Sequence, residues 1–352
     1  MTTDRLERAL SDLRRKWVPD YRLGVFDVSV AEGDVGGGGR GRRLVGVTTS
    51  REALAALQRL APEAGLGVEV AALPTAAVRN EPGAVVTAAL APLLSAPAIR
   101  AERASDALHG ESLAVLERRG EWLRVRTADG YHAWTHAGYL ATGPVDWLED
   151  WTGRATARAV RVELRCEDAR LRLPLGARVA LRRDGRVETA DGRLWNVVTG
   201  AVRPEMEWRA EATFLAAPEW ALRWYGGAPY QPGGRSDWGL DCSGLAQQTW
   251  AVRGTVLPRD SDLQFLAGRE LPLASDGTGY EAGDLLFFAD AGRVAHVALW
   301  AGAGRIVHSA LARGGVGSDD LLGDSEPGRR LRANLVGVRR VRSHQPPTRP
   351  PA

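Results

Sequence analysis

Leu6, Leu10 and Leu13 recur at helical spacing through residues 4–17, with charged positions between them, and predict an amphipathic helix. Alternation then takes over. Residues 22–30 (RLGVFDVSV) and 42–50 (RRLVGVTTS) read as strands, Ser50 opens a second helix, and residues 68–73 (VEVAAL) read as a third strand. The order helix-strand-strand-helix-strand describes a small α/β module over residues 1–79. The glycine run at 33–41 joins two strands, opens no helix and lacks the Lys-Ser/Thr of a phosphate-binding loop, so it reads as a hairpin connection.

From residue 80 the pattern becomes a series of short strand-like runs, at 84–88, 112–118, 121–127 and 131–140, separated by turns such as Asp129-Gly130. Strands of this length and spacing predict a small β-barrel over 80–145, and similar patterning predicts a second over 146–205. From 206 to 343 the pattern changes again. Pro218 suits the first turn of a helix, a glycine-rich loop occupies 226–234, and a helix follows over 242–253, ended by Gly254. A short helix is expected near Ser261 and strands at 284–290, 294–302, 305–310 and 335–341. The proline-rich residues 344–352 read as a disordered tail.

With 352 residues, 44% of them hydrophobic and 25% charged, the chain suits two or three domains with separate cores. The net charge of +3 is small and evenly spread, and the 12 Trp residues form no stacking array, so a nucleic-acid partner is not expected. No apolar run approaches the 18 residues of a membrane-spanning helix. The first residues lack the apolar core of a secretory signal, which predicts a cytoplasmic protein; a secreted or wall-associated one is the alternative. Two cysteines, Cys166 and Cys242, are too few for a disulfide scaffold or a multi-cysteine zinc site. His132 and His136 lie four apart on a strand-like run, roughly 14 Å by strand rise, too far to share a metal. No metal or other cofactor is expected, and none of these patterns sets an oligomeric state.

The chemistry concentrates at Asp241-Cys242-Ser243-Gly244, which opens a helix. Helix-end amides favour a thiolate, the reactive form of cysteine, and the Cys242 amide is available to a developing oxyanion. His296 and His308 lie on strands joined by a short turn, which allows a cross-strand pair beneath the cysteine. Cys242 as nucleophile, His296 as base and His308 as the group that orients it form one reading. A buried structural cysteine and two hydrogen-bonded core histidines form the other.

The segments APYQPGGRSDWGLDCSGLAQ (228–247), LPRDSDLQ (257–264), AGDLLFF (282–288), AHVALWAG (295–302) and RIVHS (305–309) occur in an order that resembles the NlpC/p60 family of bacterial cell-wall cysteine peptidases. The likeness is greatest to γ-D-glutamyl-L-diamino acid endopeptidases with two bacterial SH3-like domains. It implies an α+β chain: a papain-like domain at 206–343, preceded by two SH3-like barrels and the small N-terminal module. It implies the catalytic set Cys242, His296 and His308. It further implies that Tyr230 lines the oxyanion and substrate site, that Asp260 holds the free amine of L-Ala, and that Ser261 holds the α-carboxylate of D-Glu. Asp241 and Ser243 would line the same pocket, and Tyr131 would close the far end of the groove.

Plainer roles stand beside these. Ser261-Asp262-Leu263-Gln264 has the form of a capping box, Asp241 suits a helix N-cap, and Tyr131 suits a barrel core. The sequence departs from the family at Pro232, where a Trp is common; Trp238 or Trp224 is available to fill that volume. The expected reaction is hydrolysis of the γ-D-glutamyl–diamino acid bond of murein stem peptides bearing a free L-Ala, as in peptidoglycan recycling. The alternatives are a secreted endopeptidase acting on intact wall peptides and a non-catalytic wall-peptide binder.

Overall fold

The computed structural model describes residues 2–34 and 40–342. The centre of the glycine run and the proline-rich tail lie outside them. The helix Thr3–Trp17 and the helix Arg51–Glu63 pack on a three-stranded sheet of Phe26–Asp34, Arg40–Thr48 and Gly67–Ala72, with Arg40–Thr48 in the middle. The outer pairs differ in sense: the first is antiparallel and the second, reached through the helix, is parallel. Leu6, Leu44, Leu57 and Leu66 form the core, with Leu10 and Leu13 packed against it, as the helical spacing requires. Ser50 caps the second helix by accepting a hydrogen bond from the Ala53 amide.

The first barrel region is a seven-stranded antiparallel sheet between Gly83 and Gly143. The expected continuous strand at 131–140 is broken: His132–His136 is followed by a 3-10 turn, Ala137–Tyr139, and a new strand, Leu140–Gly143. His136 causes the break by accepting the Gly138 amide on its own Nδ1, a local bond that competes with the ladder. The second region closes on itself, because Ala157–Cys166 pairs with Arg178–Leu181 on one side and with Leu194–Pro204 on the other. Between the two lies a helix, Val145–Arg154, anchored where Trp151 Nε1 donates to the Gly110 carbonyl at 3.0 Å.

The C-terminal region is built on a six-stranded antiparallel sheet in the order Arg269–Leu271, Leu335–Arg340, Leu285–Asp290, Arg293–Gly302, Arg305–Ala310, Gly315–Asp320. Strand alternation divides its apolar residues between two faces. Leu285, Phe287, Val297 and Leu299 join the helices Ala217–Tyr225 and Cys242–Ala251, whereas Leu286, Phe288, Ala298 and Trp300 form a separate core. The helix of Cys242 thereby lies on the strand that carries His296. Trp208 packs edge to face on Trp220 and on Trp224, which are tilted against each other, with centroids 4.5–5.7 Å apart. Trp224 belongs to this cluster, and the Arg172 guanidinium lies over Trp238, 5.6 Å from its ring centre.

Candidate active site

Cys242 is the first residue of its helix and is 7% exposed. Asp241 is the N-cap, accepting the Gly244 amide at 2.7 Å and the Gly233 amide at 2.8 Å. The same carboxylate binds Arg259 at 2.8 Å, and Arg259, only 1% exposed, also donates to the Ser243 hydroxyl at 2.9 Å and to Ser105 of the first barrel at 2.9 Å. Asp241 and Ser243 are therefore tied into a buried network that fixes the start of the helix. A buried guanidinium needs such partners on all sides.

Burial pushes the Cys242 thiol up to about 12, and the charge of Asp241 adds to the effect. The amides of Val297 and Ser243 and the charge of Arg259 pull the other way without reversing it. Burial thus opposes the helix-end amides, which favour a thiolate. Among the described residues no hydrogen bond joins the sulfur to His296. The Val297 amide, one residue further along the same strand, acts on it directly.

A β-bulge aims His296. Phe288 pairs with His296 but Ala289 pairs with Val294, so Ala295 is the extra residue. His296 Nε2 lies 2.8 Å from His308 Nδ1, and His308 Nε2 lies 2.9 Å from Asp319 Oδ2. The pairing Leu299↔Val307 sets His308 opposite Ala298, so the two histidines meet diagonally across neighbouring strands. Asp319 is diagonal again on the next strand, since His308 pairs with Gly317. Arg313 bonds the other oxygen of Asp319. Burial, reinforced by His308, holds the pKa of His296 well below the ordinary histidine value, and burial outweighs Asp319 in lowering that of His308.

Tyr230 is half-buried, and its hydroxyl is raised to about 12 by burial and by the nearby Cys242 and Asp241. Asp260 lies further along. Its carboxyl is raised by burial and drawn back by Arg259 and Arg22, the latter 3.0 Å away. Tyr131 is buried in the barrel core and also faces Asp260, which adds to the raising of its hydroxyl by burial. Ser261 does not cap its helix, in contrast to the capping-box pattern. The N-cap is Asp260, with no side-chain cap bond, and Ser261 is the first helical residue. Ser261 is 8% exposed, and its hydroxyl has no hydrogen-bond partner among the described residues.

Asp319, Arg259 and Arg22 were not singled out from sequence. Arg259 sits within the LPRDSDLQ segment, where an arginine between Pro and Asp begs a partner. Asp319 and Arg22 carry no comparable signal. A cavity of about 470 Å³ opens toward the other end of the Cys242 helix, lined by Gln247, Gln248, Ala251, Trp208 and Arg178; no member of the Cys-His-His set lines it.

Residues 227–330 match the NlpC/P60 family, and residues 93–137 match the bacterial dipeptidyl-peptidase SH3 domain. The chain is 27% identical over 231 residues to the γ-D-glutamyl-L-lysine dipeptidyl-peptidase of Bacillus cereus, covering 56% of this chain and 64% of that protein. It is 42% identical over 77 residues to the protein of the same name from Bacillus subtilis, covering 21% and 25%. These matches span less than two thirds of either relative. A crystal structure of an NlpC/P60 family protein from Bacillus cereus superposes with a TM-score of 0.57 at 20% identity, over 73% of this chain and 99% of that one, a likeness of fold. Residues 227–330 thus form an NlpC/P60 domain, and an SH3-like domain of the bacterial dipeptidyl-peptidase type precedes them.

Proposed function

We propose that the protein is a cysteine peptidase that hydrolyses the bond between γ-D-glutamate and an L-diamino acid in murein stem peptides with a free N-terminal L-Ala. The observation that carries this reading is the hydrogen-bonded series His296–His308–Asp319 beside the helix start that bears Cys242. Asp319 next to Arg313 is an acceptor, so His308 carries its proton on Nε2 and presents a bare Nδ1. His296 must then donate from Nε2, which leaves Nδ1 as the basic nitrogen.

In the first step the sulfur bonds to the γ-carbonyl carbon while its proton passes to His296 Nδ1. The oxyanion is met by the Cys242 amide, which has no partner within its own helix, and by the Tyr230 side. The tetrahedral species collapses to a thioester as the diamino acid amine takes the proton from His296. Water, deprotonated by His296, then releases L-Ala-γ-D-Glu and restores the thiol. Burial favours a neutral thiol and a neutral imidazole before substrate binds.

Asp260, with its free oxygen, suits the L-Ala ammonium, and the unpartnered hydroxyl of Ser261 suits the D-Glu carboxylate. In this reading the first barrel shapes the groove: Ser105 holds Arg259, and Asp106 and Glu111 hold Arg235 of the loop preceding Cys242. We further propose a role in recycling of wall fragments, which a preference for free-ended peptides would support. The test is incubation with L-Ala-γ-D-Glu-L-Lys and its diaminopimelate counterpart, free and N-acetylated, read by mass spectrometry. Cleavage at the γ-bond of the free peptides alone is expected; no cleavage, or equal cleavage of free and blocked forms, contradicts the reading.

A further inference from the structure

The N-terminal module places Arg22 against Asp260, at 3.0 Å. Arg22 lies between the first helix and the first strand, in a segment held to the barrel by the His132 amide on the Arg22 carbonyl at 3.0 Å and by His132 Nε2 at 3.1 Å from the Gly24 carbonyl. Its guanidinium reaches three carboxylates. Nε and Nη2 bond Asp20 at 3.0 and 2.7 Å, Nη1 and Nη2 bond Asp262 at 2.8 Å each, and Nη1 bonds Asp260 Oδ2 at 3.0 Å. These contacts match the five N–H donors of an arginine.

Such saturation describes a built wall. A plug awaiting displacement would keep fewer bonds and leave donors to water. The charges agree. One guanidinium stands among three carboxylates, and the neighbouring Arg259 is already paired with Asp241, so the corner keeps an excess of negative charge after Arg22 is in place. That charge still favours an ammonium beside Asp260.

We propose that Arg22 is a positioning and specificity-determining residue for the substrate's amino terminus: it ties Asp260 to Asp262 and Asp20, turns the free oxygen of Asp260 toward the ammonium, and makes the N-terminal module the end wall of the groove. The proposal rests on the peptidase reading above and gives the module its task. It assigns Arg22 no contact with the reacting atoms, so its effect falls on KM and on end-group preference.

The experiment compares the full-length protein with its Arg22→Ala, Arg22→Lys and Asp262→Asn variants on free and N-acetylated L-Ala-γ-D-Glu-L-Lys, with thermal melts alongside. Arg22→Ala should raise KM for the free peptide by roughly tenfold or more with a far smaller change in kcat, and should reduce the preference for the free end by a similar factor. Arg22→Lys should recover part of both, because an ammonium cannot span three carboxylates. Should Arg22→Ala fail to fold, Asp262→Asn decides the matter, with a smaller shift in the same direction expected. Unchanged KM and preference in the variants, with wild type active, overturn the proposal. A rise in kcat/KM in Arg22→Ala also overturns it, since it makes Arg22 a cover over Asp260. Wild type cleaving neither peptide ends the peptidase reading itself, and this proposal with it.

Discussion

His296 Nε2 and His308 Nδ1 stand 2.8 Å apart, and Asp319 decides which of them holds the proton between them. An ionised carboxylate admits only a donor, so the tautomers of both rings follow from Asp319 outward. On the proposed reading, the nitrogen of His296 that serves as base is set by a residue two strands away.

Replacing Asp319 by Asn removes that constraint while keeping the size of the side chain. His308 is then free to adopt the other tautomer, which turns His296 over with it. The expected loss in kcat is on the order of 10- to 100-fold with KM little changed, the pattern of a group that orients a catalytic base. Steady-state kinetics of the variant check this, and an unchanged kcat contradicts the relay.

Burial raises the pKa of Cys242 to about 12 and lowers that of His296, which favours a neutral thiol beside a neutral imidazole before substrate arrives. Ultraviolet absorbance of the free enzyme should show no thiolate at a pH of about 8, and alkylation by iodoacetamide should be slower than that of an ordinary cysteine. A thiolate titrating at or below the ordinary value of about 8.5 would count against this account.

Acid should weaken the fold before carboxylates titrate. His109, His132, His296 and His308 all have their pKa lowered, chiefly by burial. Below about 6.5 the unfolded chain takes up protons that these folded histidines refuse, so stability falls as pH falls. Each contributes up to about 1.4 kcal/mol per pH unit, until its own folded pKa is reached. Asp106, raised to about 6 chiefly by burial, opposes this, but only from that pH downward. Melting temperatures should therefore drop between pH of about 7.5 and about 6; a flat or rising trend refutes the assignment.

Two glycines in helices should behave oppositely. A Cβ on Gly244 would lie 2.3 Å from the Gly234 carbonyl oxygen, so Gly244→Ala must push the start of the Cys242 helix away from its loop. A loss of about 2 kcal/mol or more, together with activity, is expected. A Cβ on Gly153 meets nothing within 4 Å, and Gly153→Ala should stabilise by about 0.5–1 kcal/mol. Denaturant titrations of the pair separate crowding from helix propensity.

The elements that announce themselves in the sequence are those that bury apolar side chains. The strands Leu285–Asp290 and Arg293–Gly302 carry continuous apolar runs buried on both faces of the sheet, and Cys242 opens a helix as its neighbours suggest. Other strands are hidden by what they touch. Leu90–Leu94 contains Pro92, Arg103–Leu108 carries Ser105 and Asp106 inward to polar partners, and Gly315–Asp320 is an edge strand of Gly, Ser and Asp. Asp319 was illegible for that reason: nothing local marks it as a strand residue, and its meaning comes from the register with His308. Arg22 and Asp260 are 238 positions apart, and only packing of the module onto the barrel brings them together.

The most direct test of the whole account is release of the diamino acid from free L-Ala-γ-D-Glu-L-Lys by the full-length protein and by Cys242→Ala at equal concentration. Wild type should liberate L-Lys and leave L-Ala-γ-D-Glu, and the variant should retain less than about a thousandth of the rate. A Cys242→Ala protein that cleaves as fast as wild type would remove the sulfur from the mechanism.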